Sequence, residues 1–93
     1  MRRAARVDAN QIAVVKALRQ AGATVQHLHN VGGGCPDLVA GLRGRNILLE
    51  VKMPGKGLNE LETDWFCGWA GQAHVVRSPE EAVRVVMLQA EKS

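Results

Sequence analysis

The segment that most constrains this chain is Ile-Leu-Leu-Glu-Val-Lys, which begins at Ile47 and is the most apolar strand candidate in the sequence. Side chains alternate between the two faces of a β-strand, so Ile47, Leu49 and Val51 are predicted to point together into a core. The same alternation places Glu50 and Lys52 together on the opposite face. The fold must therefore accommodate a carboxylate and an ammonium group side by side on an otherwise apolar strand.

A second strand, over residues 36–42, is predicted just before this segment. The intervening Arg-Gly-Arg-Asn is typical of a hairpin turn, which sets two antiparallel strands side by side. Asp37 stands near the start of the earlier strand, directly after a glycine-rich break. If Asp37 lies on the same sheet face as Glu50 and Lys52, the hairpin brings two carboxylates and one ammonium group together.

The other elements follow from hydrophobic periodicity and from turn residues. In chain order we predict a helix over 8–21, strands over 24–29, 36–42 and 47–52, a helix over 58–69, a strand over 73–77 and a helix over 79–90. This order, α-β-β-β-α-β-α, predicts an α/β fold with a mixed central sheet flanked by helices. In the helix over 58–69 we expect a buried apolar stripe of Leu61, Trp65, Phe66 and Trp69.

A length of 93 residues is enough for one domain with a modest core, so we expect a single domain over 1–93. Residues 1–7 carry three arginines, Arg2, Arg3 and Arg6, and are predicted to form a basic arm. No apolar run approaches the ~20 residues that span a bilayer, and no apolar segment follows the first arginines as in a signal peptide. We therefore expect a cytoplasmic protein with no membrane partner, in which Cys35 and Cys67 are free thiols.

Charge is distributed unevenly along the chain. Residues 1–58 contain nine Lys or Arg and three acidic residues, whereas residues 59–93 contain three Lys or Arg and six acidic residues. The basic part fits contact with a phosphate backbone. A solvated surface with uneven charge explains the same pattern equally well, so charge alone does not decide between the two.

The predicted grouping of Asp37, Glu50 and Lys52 suits hydrolysis of a phosphodiester. Hard cations such as Mg²⁺ and Mn²⁺ prefer oxygen ligands, so Asp37 and Glu50 are predicted metal ligands, with the backbone carbonyl of Val51 as a third. A metal there polarises the phosphate and lowers the pKa of a bound water. Lys52 can hold the attacking water or stabilise the charge that builds on the phosphate. A Glu-x-Lys pair alone is more often a solvated ion pair, so the prediction requires all three residues together.

The same residues carry a family resemblance. The run Gly-Cys-Pro-Asp-Leu that contains Asp37, followed by a hairpin and by Glu-Val-Lys, resembles the PD-(D/E)XK nucleases. More narrowly, it resembles the stand-alone virus-type replication-repair nuclease (VRR-NUC) domain of phages and bacteria, over roughly residues 6–86. The resemblance implies a restriction-endonuclease-like α-β-β-β-α-β core, dependence on Mg²⁺ or Mn²⁺ and hydrolysis of DNA. It also implies a homodimer that acts on branched DNA such as Holliday junctions, in a bacterial or phage-infected cytoplasm.

Two positions depart from the family pattern. Members commonly carry a glutamate in the first helix that reaches the metal site, and the matching residue here is Ala13. Gln11 or Asp8 can take the place of that carboxylate. A glutamine usually stands on the helix after the Glu-x-Lys strand, where this chain has Glu62. Gln11 and Glu62 are therefore accessory site candidates.

Other residues have weaker functional interpretations. Arg43, Arg45 and Lys56 lie in loops predicted to flank the site strands and are candidates for phosphate contact, as are Gly33 and Gly34 through their backbone N–H groups. A solvated surface explains the three basic residues almost as well, and a flexible approach to the strand that presents Asp37 is the favoured interpretation of the glycines.

The histidines and tryptophans admit two interpretations each. His27 and His29 share a face of the first strand, but no third ligand stands at a fitting spacing, so a metal site there is the minor alternative. Trp65 and Trp69 lie one helical turn apart, which favours a core stripe over a base-stacking platform.

We therefore predict a divalent-metal-dependent DNA endonuclease. The main alternative is a DNA-binding or assembly protein that keeps the nuclease fold with little catalysis, and the missing carboxylate of the first helix is its best support. A nucleotide-binding switch has almost no motif support, because the Gly-Lys-Ser/Thr of a phosphate-binding loop is absent.

Overall fold

The centre of the fold is a four-stranded mixed sheet with the strand order β1-β2-β3-β4. In the computed structural model, which describes residues 8–92, β1 (Thr24–His27), β2 (Leu38–Leu42) and β3 (Arg45–Val51) form an antiparallel meander. β4 (Ala73–Val76) pairs with β3 in parallel. β1 and β4 are thus the edge strands, and β3, which carries Glu50, is internal.

Three helices complete the predicted order α-β-β-β-α-β-α, namely α1 (Ala9–Gln20), α2 (Glu60–Gly68) and α3 (Pro79–Ala90). α1 and α3 pack against one another and against the sheet. The fully buried side chains of this core include Val14, Leu18, Leu38, Ile47, Leu49 and Val86. The prediction of an α/β fold with a mixed sheet flanked by helices is confirmed, and its assignment to the restriction-endonuclease-like class stays a prediction.

The hairpin between β2 and β3 is tighter than predicted. Leu42 pairs with Arg45, so Arg43 and Gly44 alone form the turn, with φ angles of 54° and 78°. Two consecutive residues with positive φ are typical of a type I′ turn, whose twist matches that of antiparallel strands. β3 therefore begins two residues earlier than predicted, and the turn fixes the register of the two strands that carry the candidate site.

Helix α2 does not bury an apolar stripe. None of its residues is buried, Leu61 is 57% exposed, and Trp69 at its C-cap is 47% exposed. The rings of Trp65 and Trp69 are stacked with centroids 4.6 Å apart. The predicted stripe is wrong because α1 and α3 supply the helical part of the core, whereas α2 makes few contacts with the other helices and strands.

α2 is instead held at its N-terminal end. The side chain of Asn59 accepts the N–H of Glu62 at 2.8 Å, and the side chain of Glu62 accepts the N–H of Asn59 at 2.9 Å, which forms a capping box. Gly34 packs against the backbone carbonyl of Leu61 with a φ of +83°. A side chain at residue 34 would be strained and would collide with that carbonyl, so the glycine-rich loop lies in direct contact with the start of α2.

Within residues 8–92, no helix is long and apolar enough to cross a membrane. The predicted basic arm over residues 1–7 lies outside the described residues. Cys35 is half-buried and Cys67 is exposed, and both are free thiols, as predicted.

Candidate active site

Asp37, Glu50 and Lys52 converge where β3 ends. The antiparallel register of β2 and β3, continued by one residue, sets Asp37 opposite Glu50 on the face away from the buried leucines. Oδ2 of Asp37 accepts a hydrogen bond from the N–H of Val51 at 2.9 Å. Nζ of Lys52 lies 3.6 Å from Oε2 of Glu50. The structure thus brings together the three side chains that the sequence singled out.

Glu62 joins this group from α2, as the sequence predicted. Its Oε1 lies 2.7 Å from Nζ of Lys52, which is closer than the 3.6 Å between Nζ and Oε2 of Glu50. The same oxygen accepts the N–H of Asn59, so the residue that caps the helix also fixes the carboxylate that holds the lysine. Lys52 therefore rests between two carboxylates, one from its own strand and one from the following helix.

The backbone of Val51 faces the same group. The N–H and C=O of one strand residue point to the same edge of the strand, and the N–H of Val51 points to Asp37. The continued register sets Val51 opposite Pro36, which has no N–H to donate. In the described sheet no backbone N–H of β2 therefore lies opposite the Val51 carbonyl, which leaves this oxygen free to accept a hydrogen bond or to bind a cation beside Asp37.

These groups line an open cleft with a volume of about 370 Å³. The loop after β3 contributes Met53 and Lys56, so Lys56 is at the site, where it was predicted to contact phosphate. Asp8 also lines the cleft, but one of its carboxylate oxygens accepts the N–H of Gln11 at 2.8 Å as the N-cap of α1. The cleft combines acidic residues at its centre with lysines beside them.

In α1, the side chain that reaches the cleft is that of Gln11 and not that of Ala13. Ala13 is exposed and does not line the cleft, whereas Gln11 is 4% exposed and does. Side chains three or four residues apart share a helix face, and the buried face of α1 consists of Gln11, Val14, Val15 and Leu18. A carboxylate that reaches the site from this helix would therefore have to replace Gln11, so the earlier expectation for Ala13 is corrected.

Asn10 fixes the ends of the two parallel strands, a role that the sequence did not indicate. Its Nδ2 donates to the carbonyl of Lys52 at 2.8 Å and to the carbonyl of Arg77 at 3.2 Å. These two residues directly follow β3 and β4. An asparagine in the first turn of a helix carries no sequence signal for such a distant contact, which is why the pattern of residues did not reveal it.

Burial dominates the electrostatics of Glu50, which is 3% exposed. Burial, with the nearby charges of Asp37 and Glu62, raises the pKa of its carboxyl group to about 8, although Lys52 opposes the shift. One oxygen of this group, Oε1, is buried without a hydrogen-bond partner. An ionised carboxylate in that position is costly, so the cleft favours either a proton or a cation at Glu50.

The neighbouring groups are shifted by burial and by one another. Burial raises the pKa of Asp37, although the N–H of Val51 opposes the shift. Burial would lower the pKa of Lys52, but hydrogen bonding to Glu62 and the charges of both glutamates outweigh it, so this pKa is raised. Burial would raise the pKa of Glu62, but its hydrogen bond with Lys52 outweighs that effect and the pKa is lowered. Lys52 and Glu62 thus form a charged pair at neutral pH.

The donor set of the cleft fits a divalent cation that keeps water ligands. Among residues 8–92, no three side chains of His, Cys, Asp or Glu are arranged to hold a metal ion. The two carboxylates and the carbonyl of Val51 are all oxygen donors, and Mg²⁺ commonly binds through one or two carboxylates while it retains several waters. The unpartnered Oε1 of Glu50 favours a cation here. Asp37, Glu50 and the Val51 carbonyl are the groups that would hold it.

Arg43 and Arg45 lie at the far end of the β2–β3 hairpin. Nη1 of Arg43 is 3.7 Å from Oε2 of Glu91, and Nη2 of Arg45 donates to the carbonyl of Lys92. The length of β3 separates both arginines from the cleft, so the structure does not bring them to the candidate site.

Other predicted residues also lie apart from the carboxylates. His27 and His29 lie in a groove between α1 and β1, with ring centroids 5.5 Å apart. Within the described residues, no acidic side chain or cysteine joins them there. Gly33 is exposed, has a φ of +68° and has open space around it, so its N–H remains a candidate for phosphate contact.

Comparisons of this chain with protein-family models, with curated proteins and with solved structures found no match.

Proposed function

We propose that this protein is a divalent-metal-dependent endonuclease that hydrolyses DNA phosphodiester bonds in the cleft at the end of β3. The observation that carries the proposal is the convergence of Asp37, Glu50 and Lys52, with a buried, unpartnered oxygen on Glu50. A solvated ion pair leaves both partners exposed, whereas the side chains of Lys52 and Glu50 are only 18% and 4% exposed. Burying charged groups in this way costs free energy, and such arrangements cluster at functional sites.

The position of each residue sets its role. Asp37, Glu50 and the Val51 carbonyl would hold Mg²⁺ or Mn²⁺, and the chemistry supplied there would be polarisation of the phosphodiester and activation of a water. Lys52 is charged and lies beside Glu50, so its ammonium group can stabilise the negative charge that builds on the phosphate. Glu62 keeps Lys52 in place through the 2.7 Å ion pair.

The proposed substrate is DNA. Lys52 and Lys56 both line the cleft, and Lys56, which forms no ion pair with a described residue, can contact a phosphate of the backbone. The VRR-NUC resemblance favours branched DNA such as Holliday junctions, and a two-fold homodimer would present two sites to two strands. The restriction-endonuclease-like class and a cytoplasmic location belong to the same proposal.

Cleavage of labelled DNA tests the proposal. A four-way junction, a matched linear duplex and a single strand are incubated with Mg²⁺, Mn²⁺, Ca²⁺ or EDTA. We expect cleavage with Mg²⁺ or Mn²⁺ that falls by about 100-fold or more in Asp37→Asn, Glu50→Gln and Lys52→Ala. Lys92→Ala, which removes an exposed lysine on the far side of the hairpin, should keep the full rate. Wild-type rates in the two carboxylate variants would overturn the metal-site assignment.

Sedimentation tests the homodimer separately. We expect a two-fold dimer at the protein concentrations that support cleavage. A monomer at all of those concentrations would remove the dimer from the proposal and leave the cleft chemistry standing.

One observation favours the alternative of a DNA-binding or assembly protein with little catalysis. α1 presents an amide, Gln11, to the cleft instead of a carboxylate, which leaves Asp37 and Glu50 as the two proposed carboxylate ligands beside the Val51 carbonyl. A protein that binds the four-way junction but leaves it uncut with every metal would support this alternative.

A further inference from the structure

A second concavity lies between α1 and the edge strand β1. Its volume is about 620 Å³, larger than that of the active-site cleft. Its lining includes Ile12, Lys16 and Arg19 from α1, and His27 and His29 from β1 and the loop after it. Ile12 is 59% exposed and presents an aliphatic surface to the groove.

The groove combines apolar and aromatic surface with positive charge. Lys16 and Arg19 are exposed, and among residues 8–92 no acidic side chain lines the groove. The rings of His27 and His29 stand edge to face, with centroids 5.5 Å apart. Nucleotides are bound by this combination, because the base packs on flat or aliphatic side chains while cationic groups attract the phosphate.

Gln11 joins the groove to the active-site cleft. It lines the cleft together with Asp37 and Glu50, and its Nε2 lies 3.3 Å from Nδ1 of His27, which lines the groove. The side chains of Gln11 and His27, which are in contact, therefore lie between the two concavities. If a DNA strand places one phosphate at Asp37 and Glu50, a neighbouring nucleotide of that strand can reach the groove.

The open edge of β1 is already blocked against an added peptide strand. The N–H of Leu28 donates to the backbone carbonyl of Asp37, so by alternation the carbonyls of Val25 and His27 face the open edge. Arg19 donates to the Val25 carbonyl and the Gln26 side chain donates to the His27 carbonyl, both at 3.4 Å. An extended peptide would have to displace both side chains to pair with β1, which disfavours a peptide as the occupant.

We propose that this groove binds a nucleotide from an unpaired stretch of DNA beside the scissile phosphate. A base that is stacked and paired in a duplex must be extruded before it can enter a side groove, and the cost is least where the base is already unpaired. The inference rests on the proposed nuclease function and specifies its substrate as DNA with unpaired nucleotides next to the cut.

A binding measurement tests the inference without cleavage. Glu50→Gln protein in EDTA is titrated with a fluorescent single-stranded oligonucleotide and with a blunt-ended linear duplex, and anisotropy is recorded. Adding Ile12→Ala is expected to weaken single-strand binding about fivefold and to leave duplex binding unchanged. The matched control is Leu88→Ala, which removes an aliphatic side chain of α3 that is 55% exposed, and it should change neither affinity. Equal weakening of both DNAs by Ile12→Ala would overturn the inference.

A second measurement locates the ligand. Thymidine 5′-monophosphate is titrated into the wild-type protein, and the methyl signals of Ile12 and the imidazole signals of His27 are followed by NMR. Shifts at both, with none at Leu88, would support the inference. If the nucleotide shifts neither signal and Ile12→Ala converts a dimer to a monomer, the groove belongs to a second copy of the chain and the inference is overturned.

The two proposals fail in different ways. Metal-dependent cleavage by a protein whose groove binds no nucleotide would overturn the groove assignment alone. A nucleotide bound in the groove, with no cleavage under any metal, would support the groove assignment and overturn the nuclease function.

Discussion

The ammonium group of Lys52 lies 2.7 Å from Oε1 of Glu62, whereas 3.6 Å separates it from Oε2 of Glu50. Lys52 directly follows β3, and Glu62 stands in the first turn of α2, so the ion pair closes the loop between strand and helix. α2 therefore helps to fix the position of the Lys52 side chain.

Glu62→Gln tests this positioning. Glutamine also suits the third position of a capping box, so the helix should keep its start while Lys52 loses its charged partner. We expect the single-turnover cleavage rate to fall about tenfold, because a displaced lysine stabilises the phosphate less well. Asp64→Asn, which removes an exposed charge from the same helix, should leave the rate unchanged. Equal rates for wild type and Glu62→Gln would show that Lys52 does not depend on Glu62.

The raised pKa of Glu50 makes the stability of the metal-free protein depend on pH. Its folded-state pKa of about 8 lies above the ordinary glutamate value of 4.5, so the folded protein binds this proton more tightly than the unfolded chain. The contribution to stability is fully present below pH 4.5 and is lost as pH rises through about 8. The free energy of unfolding should therefore fall with rising pH across this window.

The variant Glu50→Gln separates the contribution of Glu50 to the pH dependence of stability from the contributions of the histidines and the other acidic residues. Urea unfolding in EDTA at pH 5 and pH 8 gives the free energy of unfolding of each protein. We expect wild type to lose on the order of 2 kcal/mol more than Glu50→Gln between the two pH values. The same pH dependence in both proteins would mean that Glu50 does not hold a proton in the folded state.

Gln11→Glu would add a carboxylate to the cleft as a candidate third acidic ligand beside Asp37 and Glu50. Because residue 11 is buried and lines the cleft, we expect this variant to bind Mn²⁺ about tenfold more tightly by calorimetry. Ala13→Glu is the matched control, since its side chain is exposed and should leave the affinity unchanged. Tighter binding in Ala13→Glu alone would show that α1 is rotated relative to the arrangement described.

Gly34→Ala should destabilise the protein more than Gly33→Ala. Both glycines have positive φ, so each substitution introduces strain of about 1 kcal/mol. At residue 34 the new methyl group also meets the carbonyl of Leu61, whereas residue 33 has open space. We expect thermal unfolding to show a loss of about 2 kcal/mol or more for Gly34→Ala. Equal losses would mean that the loop can move away from α2 at little cost.

The positions of Asp37, Glu50 and Lys52 could be predicted because they follow from local rules. Strand alternation sets the face of Glu50 and Lys52, and a short hairpin sets the neighbour of Glu50. The order of helices and strands could be predicted for the same reason, because hydrophobic periodicity and turn residues can be recognised in short windows of sequence.

The burial of α2 and the role of Asn10 could not be predicted in this way. Leu61 and Trp69 have the spacing of a buried stripe, but their burial depends on whether α1 and α3 leave room on the sheet. Asn10 contacts residues 42 and 67 positions away in the sequence. Only the tertiary arrangement decides such contacts, and so it also decides that Gln11 rather than Ala13 points to the cleft.

The two hydrogen bonds of Asn10 have a consequence for synthesis of the chain. They join the first turn of α1 to the residues that follow β3 and β4, so three distant parts of the sequence must be present before the strand ends are locked. A nascent chain that has emerged only as far as the end of α2 already contains Asp37, Glu50, Lys52 and Glu62. It still lacks β4, the parallel partner of β3. The order of translation therefore withholds the completed cleft until β4 and Arg77 have left the ribosome.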